Sequence, residues 1–359
     1  SIYILLLMHL TLDNIESAAF SISIYDECPT SDLLKKLIST DPENKWADIS
    51  LCLALFRNGF GGIVADHTPF DAMVLLQLGL YIASSTVSNV SKNKSDVTCP
   101  LLYEGDDKVF DDINFEYDEF IKTKVGEAVF KNKKLMDDLN CEFFVYENFG
   151  KSTLKKFRLH PDGVFQAAIQ LAYYRIHKRL ASVYETATTR KYYHGRTETI
   201  RSCTKEMASF ILSFEDPTLN KIEKQKLLHT AVTHHVSLVA QCEQNGGCDR
   251  HLFGLYMMAI QENMKIPELY EDPMFLRTGG FGNFNISSSL NGYTGFAGGI
   301  APMPHDDCYG CFYSYTDDSI IVFLSSWNHV GSHDINHYFG EIAKALDDFC
   351  TLCSLKSQL

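Results

Sequence analysis

The stretch from Leu51 to Met73 constrains the fold more than any other. Leu51, Leu53 and Leu55 alternate with other residues, Asn58-Gly59 follows, and a second strand-like run, Gly61 to Ala65, ends on Asp66-His67. An Asn-Gly pair between two such runs predicts an antiparallel hairpin, because glycine accepts the positive φ that the turn needs. His67 is thereby placed where a strand stops, where a side chain is held rigidly and still reaches a ligand. Neutral imidazole takes up a proton near pH 7, so a histidine held there suits a general base. An isolated histidine more often caps a strand or satisfies a polar group in the core. The chemical reading therefore depends on what accompanies His67 elsewhere in the chain.

Composition sets limits. The 359 residues are 45% hydrophobic and 21% charged, with 10 Pro and 22 Gly, the balance of a soluble globular protein large enough for two domains. No apolar run approaches the ~20 residues needed to span a bilayer, and the opening Ile2 to Met8 burst, followed by His9 and Asp13, reads as a buried element. A net charge of −13 argues against nucleic acid as a partner. Within this acidic chain Lys151, Lys155, Lys156 and Arg158 form a local basic cluster, which on composition alone is a solvated face. Eleven cysteines are scattered. Cys308/Cys311 and Cys350/Cys353 have zinc-ribbon spacing, but one pair borders an alternating strand and the other lies in an amphipathic helix. Neither has knuckle glycines, so free thiols and no metal are expected.

Along the chain, residues up to about 112 predict mixed helix and strand, with Ser88 to Asp112 polar and loop-like. Pro161-Asp162 opens a long helix in which Phe165, Ala168, Ile169, Ala172 and Ile176 recur at helical spacing. Lys205 to Phe214 and Leu219 to Cys242 read as further helices. Cys311 to Tyr315 and Ser319 to Ser325 read as strands, and an amphipathic helix carries Ile335, Phe339, Ile342, Leu346 and Phe349.

Several separated motifs then share one resemblance. Ala65-Asp-His-Thr-Pro-Phe-Asp-Ala-Met73 is followed by Tyr184-Glu-Thr-Ala-Thr-Thr-Arg190, by Tyr193-His-Gly-Arg-Thr-Glu-Thr-Ile-Arg-Ser-Cys-Thr204, by Asp249-Arg-His-Leu-Phe-Gly-Leu255 and by Phe284-Asn-Ile-Ser-Ser-Ser289. In this order they resemble the carnitine/choline acyltransferase family, from about Trp46 onward. The resemblance implies an α/β fold of two chloramphenicol-acetyltransferase-like domains with mixed sheets, facing each other across a tunnel. Residues 1–112 would be the later part of a catalytic first domain that is incomplete here, since the chain begins without methionine and in mid-element. Residues 113–359 would be the second domain.

The same resemblance implies reversible acyl transfer between coenzyme A and carnitine, with coenzyme A as co-substrate and no permanently bound cofactor. His67 matches the family's base, and Asp71 an acidic position near it that would orient the imidazole; Asp71 would equally serve as a first-turn helix acid. Ser289 matches the serine credited with stabilising the oxyanion, and Ser288 stands where the family has threonine. Tyr184, Thr186, Thr197, Arg250 and Ser287 match the carnitine-binding set, of which Thr197 and Arg250 separate carnitine from choline. Lys151 and Lys155 match lysines at the 3′-phosphate of coenzyme A, and Asp162 an acidic position beside the nucleotide. Arg201 reads as structural or as an organiser of the site field. Gly298 aligns with the acyl gate, where the absence of a side chain would admit a medium, octanoyl-like chain, each buried methylene adding about 0.8 kcal/mol. Palmitoyl or acetyl preference, or a truncated chain that only binds coenzyme A or carnitine, are the competing readings. Ser357-Gln-Leu359 resembles the peroxisomal Ser-Lys-Leu address. A monomer with small-molecule partners is expected.

Overall fold

The computed structural model describes residues 12–30, 32–39, 41–46, 48–92, 115, 117–292, 299, 303 and 305–354, the side chains of 86–92 excepted. They fall into two compact units, Ser1–Asp137 and Asp138–Leu359. The helix Glu119–Asp138 runs up to the first strand of the second unit, which begins at Leu139.

The first unit is built on three strands in the order β1-β2-β3: Ser21–Tyr25, Leu51–Phe56 and Gly61–Ala65. β1 runs parallel to β2, and β2 antiparallel to β3, Leu51 facing Ala65 and Leu55 facing Gly61. The predicted hairpin is present. Its turn runs from Phe56 to Gly59, with the Gly59 N–H donating to the Phe56 carbonyl at 2.9 Å and Gly59 at φ 82°. One face of the sheet closes over Tyr25, Ala54 and Phe56, the two rings stacked at 4.9 Å. The helix Leu33–Ser39 lies so close to β3 that a Cβ on Gly62 would come within 2.5 Å of Leu37. After β3 comes the His67 turn and then the helix Ala72–Lys92. The polar Ser88–Lys92 stretch is therefore helical rather than loop; most of the segment expected as a loop lies outside the described residues.

The second unit carries a six-stranded mixed sheet in the order β4-β9-β8-β7-β5-β6. The strands are β4 Leu139–Tyr146, β5 Val183–Thr188, β6 Thr197–Arg201, β7 Ile286–Leu290, β8 Tyr309–Tyr315 and β9 Ile320–Trp327. β7 is parallel to both β5 and β8; the other pairs are antiparallel. The sheet's core face is covered by Pro161–His177 and Ile335–Ser354, which enclose Phe165, Ile169, Tyr309, Tyr313, Tyr338 and Phe349. From Pro161 to Tyr173 every residue of the first of these helices is buried. The apolar spacing read from the sequence is present, but the rest of the helix is covered as well, in part by Lys221–Glu243. Polar residues on it must therefore find partners inside the protein.

A close backbone approach sets the entrance to this helix pair. Gly150 precedes the short helix Lys151–Lys156, and the N–H groups of Lys151 and Ser152 donate to the carbonyls of Thr316 and Asp317 in the β8–β9 turn at 3.2 and 3.1 Å. A Cβ on Gly150 would meet Ser319 N, Asp317 O and Asp318 N at 2.5–2.6 Å, all of them backbone atoms. Gly150→Ala is expected to lower stability by about 1–3 kcal/mol, the usual range for overpacking. Urea unfolding measures it; a midpoint equal to that of the native chain would show that the turn yields without cost.

Candidate functional site

His67 follows β3, in a turn tied down by Asp66. The Asp66 carboxylate accepts from the Thr68 N–H at 2.9 Å and from its hydroxyl at 2.7 Å. His67 Nδ1 lies 2.9 Å from the Phe70 carbonyl oxygen. A carbonyl only accepts, so Nδ1 carries the proton of the neutral ring and Nε2 keeps the lone pair that a base needs. Asp71 Oδ1 stands 3.6 Å from Nδ1, placed to stabilise the ring once it is protonated. The His67 side chain is 70% exposed within this arrangement and Asp71 13%. Local structure thus joins the two residues that the sequence paired.

In the second unit, strand alternation sorts the remaining residues. On β5, Val183, Glu185 and Ala187 are buried and Tyr184 and Thr186 are less so. Tyr184 is in register with Ser287 of β7 and with Arg201 of β6, and Thr188 with Thr197. Adjacent residues in register point to the same side. Tyr184, Thr186, Thr197, Ser287 and Ser289 therefore share the face away from the helices, while Glu185 and Ser288 turn inward. Tyr184, Ser287 and Arg250 line one cleft of about 300 Å³ with Thr199, Phe253 and Phe284. Thr186 donates to the Tyr184 hydroxyl at 3.2 Å, and the Arg250 guanidinium lies 3.5 Å from the Thr197 hydroxyl. Tyr184, Thr186, Thr197 and Arg250, the residues expected at a carboxylate, are joined in this way, with Ser287 beside Tyr184 in the cleft. Such a set, one guanidinium among hydroxyls, suits a small carboxylate.

Arg250 is held by its backbone. Its N–H donates at 3.2 Å to Glu198, which is buried on β6 and also accepts from the Thr199 N–H at 2.7 Å. Next to it, Arg201 donates to Asp249 through Nε at 2.9 Å and to the Thr278 carbonyl at 2.6 Å, its guanidinium 5.5 Å over the Phe284 ring. Arg201 thus ties the end of β6 to the start of the helix Asp249–Gln261.

Lys151, Lys155 and Arg158 line a second cleft, of about 750 Å³, with His160, Pro161 and Val232. Arg158 is there because the chain takes a left-handed residue, φ 59°, between the two helices, its N–H donating to the Lys155 carbonyl at 3.0 Å. Lys151 also lies 3.4 Å from Asp317. The N-terminus of the helix Pro161–His177 opens at this cleft, and its dipole adds to the positive potential. Asp162 differs from its expected place beside the nucleotide. It does not line the cleft: it is 5% exposed and its carboxylate is turned inward, towards Tyr313 and His235.

That inward cluster contains residues the sequence reading missed. His235 Nε2 lies 3.3 Å from Asp162 Oδ2 and 3.5 Å from Glu185 Oε2. The Ser202 hydroxyl donates to Glu185 at 2.6 Å, and the Tyr313 hydroxyl to Asp162 at 2.5 Å. Burial opposes charge on His235, but Glu185 and Asp162 outweigh it and raise its pKa. Burial likewise works against the Asp162 carboxylate, yet His235 and Tyr313 keep it below the ordinary value, whereas burial and the neighbouring Asp162 push Glu185 up to about 7. A signal existed: Leu228, Ala231, Val232 and His235 form one helical stripe, so His235 belongs to the buried face. Gly298 and Ser357–Leu359 lie outside the described residues, and among the described cysteines Cys308 and Cys311 are buried and unlinked.

Residues 9–344 match the Choline/Carnitine O-acyltransferase family, and the chain belongs to it. It is 37% identical over 352 residues to the peroxisomal carnitine O-octanoyltransferase of Mus musculus, which covers 95% of this chain and 56% of that protein. With the liver isoform of carnitine O-palmitoyltransferase 1 of Homo sapiens it shares 29% over 371 residues, 97% of this chain and 47% of that protein. The chain thus spans about half the length of the curated relatives it matches. Among solved structures, the trichothecene 15-O-acetyltransferase of Fusarium sporotrichioides aligns with 93% of this chain and 77% of its own at a TM-score of 0.46 and 11% identity, too distant to inform on chemistry. Among the described residues no helix is long and apolar enough to cross a membrane.

Proposed function

We propose that the protein transfers a medium-chain acyl group, octanoyl-like in length, reversibly between coenzyme A and carnitine. His67 Nε2 removes the proton of the carnitine hydroxyl, the oxygen attacks the thioester carbonyl, and the tetrahedral intermediate expels the coenzyme A thiolate, which takes the proton from the imidazolium. Asp71 supports the charged ring, and the Ser289 hydroxyl donates to the oxyanion. The cleft of Lys151 and Lys155 receives the phosphates of coenzyme A. The cleft of Tyr184, Thr186, Thr197, Arg250 and Ser287 receives the carnitine carboxylate. No resident cofactor or metal takes part in these steps, and the protein acts as a monomer.

The observation that carries this reading is the convergence of Tyr184, Ser287 and Arg250, from β5, β7 and the helix Asp249–Gln261, on one cleft, with Thr186 and Thr197 hydrogen-bonded to two of them. The acyl length and a peroxisomal address rest on the octanoyltransferase relatives, on Gly298 and on the Ser357-Gln-Leu359 tail. The division of labour between residues 1–112 and 113–359, base in the first and substrate clefts in the second, belongs to the same proposal.

In the full-length protein, His67→Ala is expected to abolish transfer while coenzyme A still binds; near-normal turnover would sink the assignment. Arg250→Asn is expected to raise the KM for carnitine about ten- to a hundredfold, since one charged hydrogen bond is worth about 1.5–3 kcal/mol, and to leave the KM for acyl-CoA nearly unchanged. Equal effects on both substrates would count against the carboxylate role. Gly298→Met should shift the chain-length profile from octanoyl towards acetyl; an unchanged profile would remove Gly298 from the gate. A reporter ending in the last dozen residues should enter peroxisomes, and a cytosolic reporter would refute the address.

A further inference from the structure

Asp162, Glu185 and His235 belong to three separate elements: the first turn of Pro161–His177, the middle of β5, and the helix Lys221–Glu243. All three are within 5% exposure, and their ligating atoms lie within 4.8 Å of one another. Each element also borders a cleft. Pro161 and His160, beside Asp162, line the lysine cleft, and so do Val232 and Val236, on either side of His235. Tyr184, beside Glu185, lines the arginine cleft.

The links continue beyond the three. Tyr313 donates to Asp162 and accepts from Gln166 Nε2 at 3.0 Å; Gln166 also donates to the Ser288 hydroxyl at 3.0 Å; Ser288 donates to the Tyr184 carbonyl at 2.7 Å. An unbroken chain of hydrogen bonds therefore runs from His235 to the backbone of the arginine cleft. We propose that His235 is a positioning residue, which clamps Asp162 to Glu185 and so fixes the lysine cleft and the arginine cleft relative to each other. The proposal rests on the assignment of those clefts to coenzyme A and carnitine only for the identity of the ligands.

A metal ion would be the other way to join two carboxylates and an imidazole. The donor pattern favours the proton. Each carboxylate already accepts from a protein hydroxyl, Tyr313 or Ser202, and also faces the single Nε2–H. The cluster is closed to solvent, which leaves no place for the water that a three-ligand metal site keeps. Two carboxylates without a cation would be a costly burial.

The test is a double-mutant cycle. His235→Gln leaves two buried carboxylates with no cation and should lower the melting temperature by roughly 10 °C, the shift that follows from breaking a buried ion pair in a chain of this size. Glu185→Gln added to it removes the surplus charge, keeps an acceptor for Ser202, and should recover part of that loss. Tyr313→Phe is milder; it cuts the chain of hydrogen bonds between Asp162 and Gln166. Calorimetry with coenzyme A and with carnitine should show both dissociation constants rising in Tyr313→Phe and, about tenfold or more, in His235→Gln. Strictly additive stability losses would overturn the clamp. So would a change confined to one ligand, unchanged affinities in Tyr313→Phe, or a stoichiometric metal in the purified native protein that His235→Gln releases. If the native protein bound neither ligand, the functional proposal would fall, and the stability cycle alone would still decide whether His235 holds the two carboxylates.

Discussion

A helix with no exposed side from Pro161 to Tyr173 governs the second unit. An amphipathic helix can leave its polar residues in water. This one cannot, so Asp162, Gln166 and Gln170 each reach for a neighbour. Asp162 takes His235 and Tyr313, Gln166 takes Ser288 and Tyr313, and the Gln170 amide lies 3.4 Å from the Ser202 carbonyl. Those partners sit on β7, β8, the Lys221–Glu243 helix and the segment just after β6. Partnering the Asp162 carboxylate and the two glutamine amide N–H groups therefore ties together the strands that carry the site. An apolar helix would bury as much surface and specify none of these neighbours.

The two clefts are built by different physics. The lysine cleft is electrostatic: a helix N-terminus, two lysines and an arginine in a chain of net charge −13. The overall charge does not cancel it, because exposed charges more than about 8 Å away are largely screened at physiological ionic strength. The arginine cleft is steric and directional. Hydroxyls from neighbouring strands are fixed by pairing, and the Arg250 backbone is anchored on buried Glu198. Point charges suffice to gather a phosphate, whereas a planar carboxylate needs donors at set angles. The lysines accordingly sit on a short helix at a turn, and the hydroxyls on the sheet.

Much of this was legible in the sequence, where the signal was local or carried by motifs. The Asn58-Gly59 hairpin, the strand ending before His67, the helix at Lys205–Phe214 and the hydroxyl set about Arg250 follow from spacing and resemblance. What was not legible depends on what packs against an element. Periodicity at Phe165, Ala168, Ile169 and Ala172 announces one buried face and says nothing about whether the other is covered. Asp162 therefore read as a residue at a ligand, when the structure turns it inward to His235. The polar stretch Ser88–Lys92 read as a loop because serine and asparagine favour turns over helix interiors, yet the helix Ala72–Lys92 carries on through it. Glu185 lies inside the Tyr184–Arg190 motif, yet a glutamate between Tyr184 and Thr186 carries no sign of its own for which way the strand faces.

That glutamate bears on why β5 holds its register. Side chains alternate with a period of two, so a slip of one residue would exchange its faces. Tyr184 and Thr186 would turn to the helices, and Glu185 would leave Ser202 and His235 for the cleft. An apolar residue at position 185 would oppose such a slip only through lost burial. A carboxylate bonded to Ser202 and placed against His235 opposes it more strongly, because the slip would leave the Ser202 hydroxyl buried without its acceptor and His235 with Asp162 alone. Polar alternation alone specifies register weakly, and β5, with hydroxyls at Tyr184, Thr186 and Thr188, is such a strand. The buried ion cluster thus supplies, from the core side, the register on which the geometry of the open side depends.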